Sequence, residues 1–309
     1  MSEQISVLGE IESKLIVTDS PVVPVNRIIP FSAVDGPGNR TAVFLQGCNL
    51  DCKYCHNPET RALCRHCGAC VVKCPAGALR MVHASEGTQE EKGDRVIFDP
   101  TKCVACDTCI HTCMHDASPR ILWMSADEVM TEIKKQMPFI RGVTVSGGEC
   151  MLYPEFLTEL FTRCKELGLN TLIDSNGMVD FRLYPKLINV TDGVMLDIKA
   201  FDTEEHICVT GSSNDMVLSN AAFLARIGKL FEIRTVIVRE LLHPENVIKG
   251  IAEYLSDFMD IKELRYKLIA FRPFGVREQY QRYGTPDASY MSELYAEAVQ
   301  AGFQDIIII

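Results

Sequence analysis

Three features that would direct a chain to membranes, to export or to nucleic acid are missing from this sequence. No stretch approaches the ~20 apolar residues that a membrane-spanning helix needs. The first twenty residues show no basic start followed by an apolar run, so we expect no signal peptide. Basic residues number 31 against 41 acidic ones, a formal net charge of −10, whereas nucleic-acid binding needs a basic face. We therefore expect a cytoplasmic protein that has neither a nucleic acid nor a membrane as its partner.

Cysteine, by contrast, is abundant and concentrated. The chain has 14 cysteines, and 11 of them lie between Cys48 and Cys113. Dense disulfide frameworks belong to exported proteins, and the reducing cytosol keeps thiols free. Closely spaced cysteines in a chain without an export signal therefore predict metal binding.

The region after residue 120 shows alternating helix and strand patterns. A capping-box sequence occupies 125–128, Pro154 suits a first helical position, and further helices are predicted near 218–228, 247–258 and 287–301. Short β-branched runs lie between them, and the final run, 306–309, predicts a buried terminal strand. Repeated alternation indicates parallel βα units. About six are present, fewer than the eight of a closed barrel, so we predict an α/β fold with an open or partial TIM-like barrel.

Polar residues follow four of the predicted strands. They are Cys48, the run 146–149, the run 174–176 and Asp197. In parallel βα folds the carboxyl ends of the strands meet at one face, where functional sites lie. We therefore expect these residues to form one site.

The first cysteine group offers three thiolates within eight residues, Cys48, Cys52 and Cys55. Three ligands leave one iron of a [4Fe-4S] cluster without a protein ligand, and an open metal position is what catalysis requires. The alternative is a structural zinc site in which His56 supplies the fourth ligand.

Two further cysteine runs repeat one spacing, with gaps of two, two and three residues. This is the run of bacterial two-cluster ferredoxins, in which the fourth cysteine of each run binds the other cluster. One [4Fe-4S] cluster is therefore predicted on Cys64, Cys67, Cys70 and Cys113, and the other on Cys103, Cys106, Cys109 and Cys74. Pro75 follows the first run as the pattern requires, whereas Met114 follows the second. Zinc is again the alternative.

The Cys-x3-Cys-x2-Cys group after a first strand, with Gly147-Gly148-Glu149 after a second, resembles the radical S-adenosylmethionine (SAM) superfamily. The narrower resemblance is to the activating enzymes of glycyl radical enzymes, with the YjjW-type activating enzymes the most similar. It rests on motifs spread over about residues 26–309, which are Asp35-Gly-Pro-Gly-Asn-Arg40, Phe44-Leu-Gln-Gly-Cys48, Tyr54-Cys-His-Asn-Pro58, Asp174-Ser-Asn-Gly177 and Asp197-Ile-Lys199.

This resemblance implies roles at the matching positions. Cys48, Cys52, Cys55 and Lys199 belong to the catalytic centre. The residues expected to contact the cluster-bound SAM are Tyr54 (at the adenine), Cys55, His56, Gly147, Gly148 and Glu149 (at the methionine amino group), Ser175, Asp197, Ile198 and Lys199 (near the carboxylate). A monovalent cation is expected on Asp174, Ser175, Met195 and Asp197. One departure is Phe271-Arg272, where some relatives have a histidine.

The resemblance also implies a domain plan and an activity. We expect an N-terminal extension over 1–27, a partial (β/α)6 radical SAM barrel over 28–58 and 121–309, and a ferredoxin-like insertion with two clusters over 59–120. The activity is anaerobic reductive cleavage of SAM to methionine and a 5′-deoxyadenosyl radical, which takes a Cα hydrogen from a glycine of a partner glycyl radical enzyme. Flavodoxin or ferredoxin would donate the electron, and we expect a monomer.

Two other functions fit part of the sequence. A radical SAM enzyme acting on a small molecule or peptide would share the residues around the cluster. An electron-transfer iron–sulfur protein would explain residues 59–120, but it would leave the cysteine triplet and the βα region without a role. Measurement of SAM cleavage distinguishes the electron-transfer protein, which would not cleave SAM, from a radical SAM enzyme of either kind.

Overall fold

A computed structural model describes residues 20–83 and 93–309. In chain order, the strands are β1 (Val23–Ser32), β2 (Arg40–Leu45), β3 (Leu79–Val82), β4 (Arg95–Phe98), β5 (Leu122–Met124), β6 (Gly142–Gly147), β7 (Asn170–Ser175), β8 (Gly193–Asp197), β9 (Leu230–Ile237), β10 (Arg265–Ala270) and β11 (Asp305–Ile308). The helices are α1 (Thr108–Thr112), α2 (Ala126–Lys134), α3 (Pro154–Glu166), α4 (Pro185–Val190), α5 (Thr203–Thr210), α6 (Asp215–Arg226), α7 (Pro244–Leu255) and α8 (Ala288–Ala301).

Nine of the strands form one sheet in the order β11-β10-β9-β8-β7-β6-β2-β1-β5. From β2 to β11 each neighbouring pair is parallel, whereas β1 is antiparallel to β2, and β5 to β1. A parallel connection needs a crossover segment, which here contains a helix in each case. The predicted α/β class with a mostly parallel sheet is confirmed.

The helices are fixed by the signals that the sequence carries. Ser125 and Glu128 form the predicted capping box of α2, and Pro154 begins α3, with Gly168 just beyond its end at φ +71°. One face of α3 is fully buried in the main core through Phe156, Leu157, Leu160, Phe161 and Cys164. Burying each such large apolar side chain contributes about 1.5–3 kcal/mol.

Several element boundaries differ from the expectation. β1 begins at Val23, so the predicted domain boundary at residue 28 falls inside a strand of the main sheet, while 1–19 lie outside the described residues. The helices predicted at 218–228 and 247–258 each begin three residues earlier. The predicted burial of 306–309 is wrong, because β11 is the last strand of the sheet and Ile308 is 39% exposed.

The cysteine-rich segment has its own small structure. β3 and β4 pair antiparallel, and a separate apolar cluster contains Cys70, Cys109, Leu79 and Val96. A parallel bridge joins Ala62 to Ala117, so the segment leaves and rejoins the main body at one place. No helix in the described part of the chain is long and apolar enough to cross a membrane.

Candidate active site

The loop that carries Cys48, Cys52 and Cys55 follows β2 and is held from two sides. The amide of Cys48 donates to the Arg61 carbonyl over 2.8 Å, and the amide of Lys53 donates to the Val209 carbonyl over 2.8 Å. Backbone hydrogen bonds thus fix the loop on both flanks, and the Leu50 amide also donates to Cys48 Sγ over 3.4 Å. All three thiols remain free to bind a metal group.

The three cysteines open into one cavity at the carboxyl ends of the parallel strands. Its volume is about 950 Å³ including the open mouth. Besides the three cysteines it is lined by Leu50, Tyr54, His56, Asn57, Ser146, Gly147, Gly148, Asp174, Ser175, Asn176, Asp197, Lys199, Arg234, Val236 and Ile269. Residues from every predicted strand end therefore meet in one place.

Burial changes the chemistry of the three thiols. It raises the pKa of Cys48 to about 11 and that of Cys52 to about 12, and it also raises the pKa of Cys55. Free thiolates are therefore unfavourable in this cavity at neutral pH. A bound metal cluster would have to displace these protons, and its positive irons would stabilise the thiolates.

Gly147 and Gly148 allow the strand β6 to approach the cysteine loop closely. A Cβ on Gly147 would lie 2.1 Å from the Leu45 carbonyl oxygen, and one on Gly148 would lie 2.3 Å from the Gly47 carbonyl oxygen. Gly147 also has φ +128°, which other residues rarely adopt. Both glycines line the cavity, as the motif predicts.

The Glu149 carboxylate differs from its expected placement. It is 1% exposed, does not belong to the cavity lining, and accepts hydrogen bonds from the Ser175 hydroxyl at 2.9 Å and the Asn176 and Met151 amides at 2.7 and 2.9 Å. Burial raises its pKa to about 7, although these donors oppose the rise. The side chain therefore joins the turn after β6 to the turn after β7.

Lys199 and Tyr54 lie together on the other side of the cavity. Lys199 Nζ is 2.9 Å from Asp197 Oδ2. Burial alone would lower the pKa of Lys199, but the Asp197 carboxylate and the neighbouring Cys52 raise it above its ordinary value. Among the residues that the structure describes, the buried Tyr54 hydroxyl has no hydrogen-bond partner, which leaves it available to a group bound in the cavity.

Of two other predicted contacts, His56 lines the cavity and Ile198 does not. Ile198 is 1% exposed and belongs to the main core, so only its backbone lies near the site. His56 lines the cavity, stacks on Phe271 at 5.8 Å, and bonds through Nε2 to the Arg272 carbonyl. Burial lowers the pKa of His56. The exposed Arg272 is not part of the cavity lining and acts on the site through this carbonyl.

Arg234 and Asn176 have side-chain roles that the sequence interpretation missed. Arg234 lies on β9 and reaches Asp174 and Met195. Asn176 Nδ2 lies 3.7 Å from Cys48 Sγ and donates to Asn49 Oδ1 over 2.8 Å. A signal for Arg234 exists in the sequence, because Glu232 and Arg234 are two charged residues at period-two spacing on a largely apolar strand.

The eight cysteines of the twin runs line two separate cavities. One, of about 320 Å³ including its open mouth, is bordered by Cys74, Cys103, Cys106 and Cys109. The other, of about 420 Å³ including its open mouth, is bordered by Cys64, Cys67, Cys70 and Cys113. Each cavity thus combines three cysteines of one run with the last cysteine of the other. Among residues 20–83 and 93–309, no three His, Cys, Asp or Glu side chains converge as ligands of a single metal ion.

Comparison with known proteins agrees with this geometry. The Radical SAM superfamily model matches residues 42–249. The chain belongs to the radical SAM superfamily. It is 32% identical over 271 residues to the choline trimethylamine-lyase activating enzyme of Oleidesulfovibrio alaskensis, covering 82% of this chain and 85% of that one. It is 30% identical to the 4-hydroxyphenylacetate decarboxylase activating enzyme of Clostridioides difficile, over 85% and 89% of the two chains.

Within this superfamily the chain belongs to the glycyl radical enzyme activating enzymes, because relatives of that kind match most of its length. The crystal structure of QueE from Escherichia coli shares the fold, with a TM-score of 0.52 and 14% identity over 93% of this chain and 94% of that one. Radical SAM proteins use a [4Fe-4S] cluster and SAM. Three thiols around one cavity and an unsatisfied tyrosine hydroxyl in its wall fit these two groups.

Proposed function

We propose that this radical SAM protein activates a partner glycyl radical enzyme by cleaving SAM reductively in the cavity at the strand ends. The observation that supports this most is the convergence of Cys48, Cys52 and Cys55 with residues that follow β6, β7 and β8. The names of the relatives give the reaction class and imply a protein partner. When bound, the cluster supplies the electron that splits SAM into methionine and a 5′-deoxyadenosyl radical, which abstracts the glycine Cα hydrogen.

The chain itself supplies position and charge. Three cysteines would hold the cluster and leave one iron open to the methionine group of SAM. Lys199 is a cation in the cavity wall and can pair with a carboxylate, and Tyr54 offers its free hydroxyl and an apolar ring. Gly147 and Gly148 expose backbone groups at the cavity wall. The roles of Ser175 and Asp197 would be to complete the polar wall.

We infer that residues 59–120 are a ferredoxin-like insertion within a partial (β/α)6 barrel. The crossed pairing of cysteines around two cavities supports two further [4Fe-4S] clusters, hence three in all. These clusters would relay electrons from flavodoxin or ferredoxin to the SAM-binding cluster. Eleven cysteine ligands then predict about twelve irons per chain with equal inorganic sulfide, and we expect a monomer.

The decisive experiment has two stages. Anaerobically reconstituted and reduced protein should convert SAM to 5′-deoxyadenosine, detected by chromatography, and absence of the product would refute the radical SAM reaction. Co-incubation with the glycyl radical enzyme should then give a doublet in the electron paramagnetic resonance spectrum. Cleavage without a doublet on any such partner would favour a small-molecule or peptide substrate instead.

A matched pair of variants controls for loss of folding. Cys48→Ala removes a thiol of the cavity and should abolish 5′-deoxyadenosine formation. Cys208→Ala removes an exposed cysteine outside the cavity lining and should leave the rate unchanged. Equal loss in both variants would contradict the assignment of Cys48.

A further inference from the structure

The last turn of helix α5 lies against the loop that carries the three cysteines of the candidate site. The Asp51 amide donates to the Thr210 carbonyl over 3.0 Å, and the Lys53 amide donates to the Val209 carbonyl over 2.8 Å. The last four carbonyls of a helix have no partner within the helix, so the cysteine loop supplies donors that the helix end lacks. Because Asp51 and Lys53 flank Cys52, the end of α5 fixes the backbone on both sides of this cysteine.

His206 shapes this end of the helix through its ring. Nδ1 is 2.7 Å from the Ser212 carbonyl oxygen, and since a carbonyl only accepts, the ring proton is on Nδ1. The Thr210 hydroxyl donates to the His206 carbonyl over 2.7 Å and accepts from the Ser212 amide at 3.2 Å. Gly211 takes the left-handed conformation, with φ +83°, that commonly ends a helix. The chain thus folds back on α5, which fixes the direction of its last carbonyls.

The other ring nitrogen of His206 gains nothing from its position. Nε2 is buried and bonds to no group within residues 20–83 and 93–309, and the whole residue is 1% exposed. Burial lowers the pKa of His206, which favours the neutral ring. A buried polar atom without a partner destabilises the fold, so an apolar side chain would be the more stable occupant if Nδ1 had no role. The contacts of Nδ1 therefore explain why a histidine fits here.

We propose that His206 is a positioning residue for the SAM-binding cluster, because it fixes the end of α5 that holds Cys52 in place. The proposal rests on the proposed function, in which Cys52 is a cluster ligand. Val209 and Thr210 are buried, so water has little access to replace a bond lost between helix and loop. Release of the helix end would free the loop on both sides of Cys52. Misplacement of a catalytic site by about 1 Å can lower a rate about 10²-fold.

Two substitutions distinguish the ring nitrogens. His206→Asn places an amide nitrogen close to the position of Nδ1 and can still donate to Ser212, whereas His206→Gln places it close to Nε2 and cannot. Both new side chains are polar and neutral, so a difference between the variants reports on the Nδ1 bond. His83→Gln, at an exposed histidine paired with Asp94, is the control and should match the wild type in each measurement.

The first measurement is hydrogen exchange of each reconstituted full-length protein, resolved to single amides by mass spectrometry. In His206→Gln the Asp51 and Lys53 amides should exchange at least tenfold faster than in the wild type, and in His206→Asn within threefold of it. The Cys48 amide, which bonds to Arg61 on the other flank of the loop, should change less than threefold in either variant. Unchanged exchange at Asp51 and Lys53 in His206→Gln would overturn the proposal. An equal rise at all three amides would also overturn it, because it would show a general loss of stability.

The second measurement is the rate of 5′-deoxyadenosine formation at saturating SAM with a chemical reductant, expressed per mole of bound iron. We expect kcat to fall at least tenfold in His206→Gln and less than threefold in His206→Asn. Faster exchange with an unchanged kcat in His206→Gln would show that α5 holds the loop without positioning the cluster, and would overturn the proposal. Absence of product from the wild type would refute the proposed function, whereas the exchange data would still show whether His206 holds the loop.

Discussion

At the scale of single residues, Asn176 links the strand-end turns to Cys48, one of the three proposed cluster ligands. Its amide lies 3.7 Å from Cys48 Sγ, its own backbone amide donates to Glu149, and its Oδ1 accepts from the Met178 amide over 3.0 Å. The side chain is thus oriented by bonds at both ends. Hydrogen bonds to a ligating sulfur raise the reduction potential of an iron–sulfur cluster, because they stabilise added negative charge.

We predict that Asn176→Leu lowers the potential of the SAM-binding cluster. A lost hydrogen bond of about 1 kcal/mol corresponds to roughly 40 mV for one electron. The measurement is a redox titration followed by electron paramagnetic resonance, in the absence of SAM. Asn26→Leu, which removes an amide bonded to Gln46, serves as the control. An unchanged midpoint in Asn176→Leu would exclude this role.

Glu149 predicts a pH dependence of stability. Burial raises its pKa from 4.5 to about 7 in the folded chain, so between these values the native state binds more protons than the unfolded state. Stability therefore falls as pH rises through this window and is restored as pH falls. A shift of this size corresponds to about 3 kcal/mol.

The measurement is the free energy of unfolding of cluster-free protein at pH 5 and pH 8, compared with Glu149→Gln. The wild type should lose about 3 kcal/mol more than the variant between these two values, because glutamine does not titrate. Parallel pH profiles for the two proteins would show that Glu149 titrates at an ordinary pKa in the folded chain.

At the scale of elements, the junction of β6 with the cysteine loop depends on Gly148. A Cβ there would lie 2.3 Å from the Gly47 carbonyl oxygen and 2.8 Å from that of Thr60, and backbone cannot move aside as a side-chain end can. Gly148→Ala should lower the free energy of unfolding, measured with denaturant, by about 1–3 kcal/mol. Gly284→Ala, whose Cβ would meet only a Glu240 oxygen at 3.4 Å, should change it by less than about 0.5 kcal/mol. Equal stabilities of the two variants would contradict the close approach.

How far the sequence predicts each element depends on whether its signals are local. α2 and α3 were predicted because a capping box and a helix-starting proline are local and strong. The short helices α4 and α5 carry weaker apolar periodicity and were missed. The sequence predicts that the polar residues following the strands lie together, because the carboxyl ends of parallel strands meet at one edge of the sheet. Arg234 lies within a strand, and its partners depend on the register between β8 and β9, which the sequence does not encode locally.

At the scale of the whole molecule, a network of charges joins three distant parts of the chain. Arg277 contacts Asp51 Oδ1 at 2.7 Å, the Cys52 carbonyl at 2.8 Å and Asp116 Oδ2 at 3.5 Å, and Arg61 reaches Asp51 and Asp116 as well. These contacts tie the cysteine loop to the end of the cysteine-rich segment, residues 59–120, and to the segment after β10. This arrangement places residues 59–120 beside the cysteine loop, as the proposed relay of electrons would require.

The last prediction separates a relay from a docking surface. Cys67→Ala should disrupt one insertion cluster and lower the iron content, yet keep 5′-deoxyadenosine formation when a small chemical reductant supplies electrons directly. With reduced flavodoxin or ferredoxin as donor, the same variant should lose at least tenfold in rate, because the electron must then pass through the missing cluster. Cys48→Ala should be inactive with either reductant. Cys67→Ala could instead keep its full rate with the protein donor and bind the glycyl radical enzyme more weakly. That result would show that the insertion serves docking, because electron transfer would not depend on the missing cluster.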